Sequence, residues 1–208
     1  RSYLLKFNSC WVPDVSGVEN LSGKLGHPEK MMNTIQYIGP LSRIEKKSLP
    51  IKYDIMVLLS GPEPQRTLLE KKLIKELENS SKEILFVKGI VESQQQIEKV
   101  NSITYYNFMN SEQLSTAFNE SEFVVCRSGY TTVMDLAKLE KKAFFIPTPG
   151  QYEQEYLAKK FKSEIVAPSC KQEKFKASKL EKIHFYKGFK DFAVDPNWNE
   201  LFGLFQGK

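Results

Sequence analysis

From residue 52 onward the apolar and polar positions alternate between two periods. Asp54–Ser60 (DIMVLLS) is an almost unbroken apolar run, as expected of a strand covered on both faces. Glu63–Glu78 then places Leu68, Leu69, Leu73, Ile74 and Leu77 at the spacing of an amphipathic helix. Pro64 suits its first turn, where a missing N–H costs nothing. The same succession repeats. Glu83–Lys88 and Ile103–Phe108 read as strands, and Ser111–Phe118 as a short helix capped by Asn110 or Ser111. Strand Glu122–Cys126 precedes helix Thr131–Leu139, and strand Ala143–Pro147 precedes helix Gln151–Phe161. Glu164–Ala167 reads as a last strand, with weaker helices near Ala177–Phe185 and Trp198–Phe205. Buried strands alternating with helices predict an α/β fold: a mostly parallel sheet with right-handed crossovers and helices on both faces.

Residues 1–34 break this rhythm. A short apolar run, Tyr3–Phe7, is followed by a stretch rich in Gly, Ser, Pro and Asn, the composition of loops and turns. They read as the tail of a preceding domain and a linker, with the regular domain over residues 35–208. The composition, 41% hydrophobic and 26% charged over 208 residues, is that of a globular chain and excludes disordered, collagen-like or disulfide-scaffold architectures. No apolar run approaches the ~20 residues that span a bilayer.

The net charge of +5 is unevenly spread. Lys159–Lys190 carries ten lysines against three glutamates, which leaves the remainder slightly acidic. Such a stretch is either a solvated helical face or a footprint for an anionic membrane; no aromatic-interleaved basic motif suggests nucleic acid. The three cysteines (Cys10, Cys126, Cys170) form no CxxC pair, and with only His27 and His184 a structural zinc site is not expected. The odd count and the absence of a signal peptide point to a reducing, cytoplasmic setting.

In parallel α/β sheets, ligands bind beyond the carboxyl ends of the strands. The loops after Ser60, Cys126 and Pro147 are therefore the places to look for chemistry. The first, Ser60-Gly61-Pro62-Glu63-Pro64-Gln65-Arg66, enters a helix whose N-terminal amides suit phosphate, with Arg66 in bidentate reach; a plain tight turn is the alternative. It is neither a P-loop nor a dinucleotide fingerprint. The second, Cys126-Arg127-Ser128-Gly129-Tyr130-Thr131-Thr132, gathers hydroxyls and amides at another helix start. Asp135 lies a turn further, where a carboxylate can accept from both hydroxyls of a ribose. Alternatively, Thr131 or Thr132 simply caps the helix and Asp135 complements its dipole. Cys126 ends an apolar strand with no neighbouring histidine and is a poor nucleophile. The third, Thr148-Pro149-Gly150-Gln151-Tyr152-Glu153-Gln154-Glu155, brings amides and carboxylates that suit sugar hydroxyls, or a helix with a polar first turn.

Together, strand–SGPEPQR, strand–CRSGYTTVMDL and strand–FIPTPGQYEQEYLA, in that order, resemble the C-terminal, donor-binding domain of glycosyltransferase family 28, which includes the N-acetylglucosaminyltransferase of peptidoglycan synthesis. The likeness covers about residues 35–165. It implies the C-terminal half of a GT-B fold, in which two Rossmann-like domains face each other across a cleft. By position, Ser60 and Gly61 match the family's Gly-rich loop, while Pro62 and Pro64 replace residues that are often Ser and Gly there. Arg66 matches a basic residue. Arg127, Ser128 and Gly129 match the R-[SA]-G turn, Thr132 matches its helix-start hydroxyl, and Asp135 stands where Glu usually takes the ribose. Gln154 matches one sugar-contacting glutamine; Glu153 or Glu155 replaces the other, and Gln151 lies beside them.

The activity so implied is transfer of a sugar from a nucleotide donor, usually a UDP-sugar such as UDP-N-acetylglucosamine, to an acceptor hydroxyl. Helix N-termini and Arg would stabilise the departing diphosphate without metal or other cofactor, in keeping with the lack of an Asp-x-Asp motif. The resemblance places the general base in the partner N-terminal domain, so this chain alone is expected to bind donor without turnover. A nucleotide-sugar hydrolase or 2-epimerase, or a non-catalytic partner subunit, would use the same pocket.

Overall fold

The computed structural model of the chain describes residues 7–29, 34–194 and 196–203; of the Tyr3–Phe7 run, only Phe7 is among them. The main sheet has six strands: β3 (Tyr53–Leu58), β4 (Ile84–Val87), β5 (Ile97–Val100), β6 (Ile103–Tyr106), β7 (Ser121–Cys126) and β8 (Lys142–Phe145), in the spatial order β5-β6-β4-β3-β7-β8. All pairings are parallel except β5 with β6. Helices α1 (Gln65–Leu77), α2 (Ser111–Asn119), α3 (Tyr130–Lys138) and α4 (Tyr152–Ser163) connect them.

The two-residue period of the strands sorts the core into two layers. Met56, Val124, Cys126, Ala143 and Phe145 face α2, α3 and α4. Ile55, Val57, Val125 and Phe144 face α1 and a 3-10 helix over Ala177–Phe185. The expected doubly covered parallel sheet is therefore present. Strand β7 is buried at every position except Glu122, as its apolar sequence requires. The first turn of α2 is closed by Asn110, whose side chain accepts from Gln113 N while the Gln113 side chain accepts from Asn110 N.

Three elements differ from the expectation. Glu164–Ala167 is not a strand; the nearest pairing is a single parallel bridge between Phe145 and Ser169. The segment turns at Ile165, whose φ is +56°, and that breaks extended backbone. Strand β5 carries no apolar alternation because all four of its residues are exposed at the sheet edge. The Gly- and Ser-rich start contains β1 (Cys10–Val12), which pairs in parallel with β2 (Ile35–Tyr37).

This start is packed, not detached. Asp14, fully buried, accepts from Val15 N, Leu21 N, Ser22 N and the Ser22 hydroxyl. His27 stacks on Tyr37 at 4.6 Å and its ring nitrogens lie 2.9 Å from Val15 O and 3.2 Å from Gly23 O, a loop-holding role. Tyr130 donates to Pro13 O, Tyr156 accepts from Lys24 N and Lys160 donates to Asn20 O. Trp11 packs edge-on against Phe202 of a terminal helix, α5 (Trp198–Gly203); residues 204–205 of the expected helix lie outside the described residues.

The Ala177–Phe185 helix is held to α1 by Glu76, which accepts from Lys176 (2.8 Å), Lys72 (3.3 Å) and Ala177 N (3.3 Å). The Lys176 bond, with smaller help from Lys72, holds this carboxyl at about 2, below its ordinary 4.5. A depressed folded-state pKa stabilises the fold above the ordinary value, and that contribution fades as pH falls through the folded one. Glu76→Gln should therefore melt below the parent chain at pH 7, with the gap closing as pH is lowered from about 4.5 toward about 2. A gap that does not change with pH in thermal melts would remove Glu76 from this role.

Candidate functional site

The order of the strands reverses at β3: α1 leads outward to β4 on one side, and the crossover through α2 returns to β7 on the other. Such a reversal opens a crevice between the carboxyl ends of the two central strands. The loops after β3, β7 and β8 lie side by side there, because these strands are neighbours.

In the first loop Ser60 and Gly61 are exposed. Gly61 has φ +104°, a left-handed conformation that favours glycine, and a Cβ at this position would lie 4.0 Å from Thr148 Oγ1. The first and third loops thus approach each other. The start of α1 is already occupied, since Thr67 N donates to the Glu63 carboxylate at 3.2 Å. Arg66, 8% exposed, donates to Glu63 (2.7 Å), Glu70 (2.6 Å), Lys88 O (3.1 Å) and the Thr67 hydroxyl (2.6 Å). Its fork is taken up by the junction of α1 with β4 and does not stand ready for an anion, unlike the sequence expectation.

The second loop is organised by Arg127, 2% exposed. The guanidinium donates to Ile146 O (2.9 Å), Pro147 O (3.1 Å), Gln65 O (2.9 Å) and Gln172 Oε1 (2.7 Å). None of these acceptors is a carboxylate, and Nε is buried without a partner. Burial pulls this group down to about 10, so at neutral pH it remains a positive charge with no counterion among the described residues. Ser128 is fully buried and donates to Gln154 O at 2.7 Å, which ties the second loop to the third. Gly129 is the N-cap of α3 with φ −73° and ψ 144°, and no side chain caps the helix. A Cβ on Gly129 would meet nothing within 4 Å. Thr131 is exposed and Thr132 half-buried, and neither hydroxyl is engaged with another described residue. The first amides of a helix have no intrahelical acceptor, so α3 presents an open, electropositive end.

Asp135 lies farther along α3, half-buried, where its Oδ1 accepts from the Ser42 hydroxyl at 2.7 Å. Burial pushes its carboxyl up, against the lowering effects of the Ser42 bond and the Arg43 charge. Cys126, at the end of β7, is buried and its thiol is pushed well up by burial, in keeping with a core role.

The third loop is held by its own side chains. Gln151 caps α4 by accepting from Gln154 N, Gln154 Oε1 accepts from Thr148 N and Glu155 accepts from Gly150 N, each at 2.9 Å. Glu153 is exposed, and no described residue engages its carboxylate. Thr148 Oγ1 is buried without a partner. The structure therefore wires Arg127, Ser128, Gln151 and Gln154 into one framework, sets Ser60 and Gly61 beside it, and leaves Gly129, Thr131 and Thr132 open.

Sequence reasoning missed three participants. Ser42 and Arg43 belong to a polar segment with no regular period, which a strap along α3 and α2 brings to Asp135 through Leu41 N on Met134 Sδ and Lys47 N on Asn119 Oδ1. Gln172, 9% exposed, joins Arg127 to Gln65; nothing in its neighbourhood marks it as buried.

Two cavities differ in their relation to the three loops. One, of 430 Å³, abuts the third loop and includes Pro149, Lys159 and Lys162 in its lining. The other, of 530 Å³, lies away from the loops, between residues 18–21, α4 and residues 187–192. The convergence of donors, not enclosed volume, marks the site, because the crevice is open above the strand ends.

The model of the glycosyltransferase family 28 C-terminal domain matches residues 65–184. Among solved structures, the glycotransferase of kitacinnamycin is similar with a TM-score of 0.60 and 12% identity, over 85% of this chain and 45% of that one. MurG of Acinetobacter baumannii gives 0.51 and 18%, over 77% and 51%. The solution structure of ALG13 gives 0.50 and 16%, over 74% of this chain and 95% of that one. The chain thus spans about half the length of the first two. Comparison with curated protein sequences finds no match. The fold is that of GT-B C-terminal domains, and with the family model covering more than half of its residues, the chain belongs to glycosyltransferase family 28 through its C-terminal domain.

Proposed function

We propose that the crevice binds a nucleotide-sugar donor, with UDP as the nucleotide, for metal-independent transfer of the sugar to an acceptor hydroxyl. The observation that carries this reading is the uncapped start of α3 at the strand-order reversal, open in front of Gly129 and two residues beyond the uncompensated Arg127 charge. Amides that open on the crevice, with a fixed positive charge buried in the adjoining loop, suit a diphosphate. They would also stabilise the charge that builds on this leaving group as the glycosidic bond breaks. The Thr131 and Thr132 hydroxyls supply further donors, Asp135 an acceptor for ribose hydroxyls, and Glu153 and Gln154 groups for the sugar. Arg66 enters only if it leaves Glu63 and Glu70. No described residue is placed as the base that deprotonates the acceptor, and a partner N-terminal domain is proposed to supply it across the cleft.

A second reading is a donor-binding subunit that works with a separate chain. It is favoured by the extent of ALG13, 95% of which is covered: a unit of this size stands there as a chain in its own right.

Among the described residues no helix is long and apolar enough to cross a membrane. Peripheral contact with an anionic membrane is proposed for the basic stretch, where Phe185, 80% exposed, stands between Lys182 and Lys187. Ion pairs with Glu164, Glu76 and Glu19 already occupy Lys160, Lys176 and Lys190.

Calorimetric titration with UDP, GDP and CDP in the presence of EDTA tests the donor reading. Binding selective for UDP is expected; equal affinity for all three, or UDP binding that EDTA abolishes, would overturn it.

A further inference from the structure

Asp135 is reached by a residue from outside the three loops. Ser42 lies 93 positions earlier in the chain, in the strap that runs along α3, and donates to Asp135 Oδ1 at 2.7 Å. The same hydroxyl accepts from Ile44 N at 3.0 Å, and its proton has a shorter path to Asp135 than to its other acceptor, Ile44 O at 3.4 Å. The strap itself is firmly seated. Ile44 is 3% exposed and packs in the α2–α4 core layer. Leu41 N bonds Met134 Sδ, Asn119 exchanges bonds with Lys47 N and Glu45 O, and Lys46 pairs with Glu140. The other oxygen, Oδ2, has no partner among the described residues, and Thr131, one turn earlier on α3, is exposed. A carboxylate held by one oxygen and free at the other has a defined direction in which to accept.

We infer that Ser42 is a positioning residue: it fixes the Asp135 carboxylate so that its second oxygen accepts from a ribose hydroxyl of the bound nucleotide. This rests on the nucleotide-binding reading above and adds to it a group that no sequence motif marks. A short side chain with two rotatable bonds orients well only when something holds it, and hydrogen bonding from a fixed neighbour is the usual means. The Ser42 bond lets Asp135 read the sugar of the nucleotide despite lacking a methylene relative to Glu.

The test compares the affinities of UDP and 2′-deoxy-UDP in calorimetric titrations of the parent chain and its variants. The parent should prefer UDP by about tenfold or more, the scale of one hydrogen bond to a charged group. Asp135→Asn should lose most of that preference. Ser42→Ala should lose at least half of it on a logarithmic scale, and Ser42→Thr, which keeps the hydroxyl, should retain it. Lys46→Ala loosens the strap without touching Asp135 and should leave the ratio unchanged; a purely structural role for Ser42 would make the two alanine variants behave alike. A full preference in Ser42→Ala alongside a lost one in Asp135→Asn overturns the inference and leaves the donor reading standing. Equal affinity for both ligands in the parent chain overturns the inference also, and absence of UDP binding overturns the donor reading on which it rests.

Discussion

Replacing Arg127 with methionine should destabilise the domain by about 2–4 kcal/mol, because two buried and two part-buried acceptors lose their donor at up to about 1–3 kcal/mol each, offset in part by removal of a costly buried charge. The acceptors are Ile146 O, Pro147 O, Gln65 O and Gln172 Oε1, and they belong to three separate segments of the chain. Lysine should not rescue the loss, since one ammonium cannot reproduce a planar fork directed at several carbonyls. Denaturant titration of both variants measures this, with the midpoint expected to fall in each. An unchanged midpoint in Arg127→Met would mean that the four acceptors find other donors and that Arg127 does not hold the loops together. The side chain that the family motif would assign to ligand contact is thus expected to act through the loops it joins.

The second large effect comes from placing a carboxylate where an anion is proposed to sit. Gly129→Asp should raise thermal stability and at the same time weaken UDP binding. The backbone there, φ −73° and ψ 144°, is one that any residue adopts at an N-cap, and the position is open. Aspartate is a favoured cap, and replacing a compatible glycine stabilises by about 0.4–1 kcal/mol through the unfolded chain. The same carboxylate would meet the diphosphate at the helix end, and like charges forced together cost several kcal/mol, so affinity should drop by about a hundredfold or more. Opposite signs in the melt and in the titration identify the end of α3 as the anion site. A stabilised variant that binds UDP as well as the parent would place the anion elsewhere.

The centre of the sheet was legible in the sequence because its inner strands are apolar on both faces. β3, β7 and β8 could hardly be misread, and the loops that follow them could be located from the strands alone. What the sequence hid falls into two physical classes. Exposed edge elements carry no burial pattern: Ile97–Val100 pairs at the rim with every residue in solvent, and a three-residue strand such as Cys10–Val12 is too short to show a period. Long-range polar partnership is the other class. Arg66 and Arg127 stand in similar loops at similar helix starts, and sequence gave both the same use. The structure separates them, because Glu63 and Glu70 lie one turn or less from Arg66, whereas Arg127 finds backbone carbonyls and Gln172, 45 positions away. Ser42 and Gln172 were invisible for the same reason: their partners are close only after folding.

The bonds that converge on Arg127 also set how the site comes into being. Its contact with Gln65 closes a loop of 62 positions, and the Gln172–Gln65 contact one of 107. Closing such loops is entropically expensive until the sheet between them exists. The crevice is therefore expected to form late in folding, and its walls to open or close together, which hydrogen exchange of the three loops would test. A shortened chain that ends near residue 165, just past the last of the three motifs, would keep all three and lose Gln172. The smallest unit expected to carry the site therefore extends beyond the three loop motifs, to Gln172.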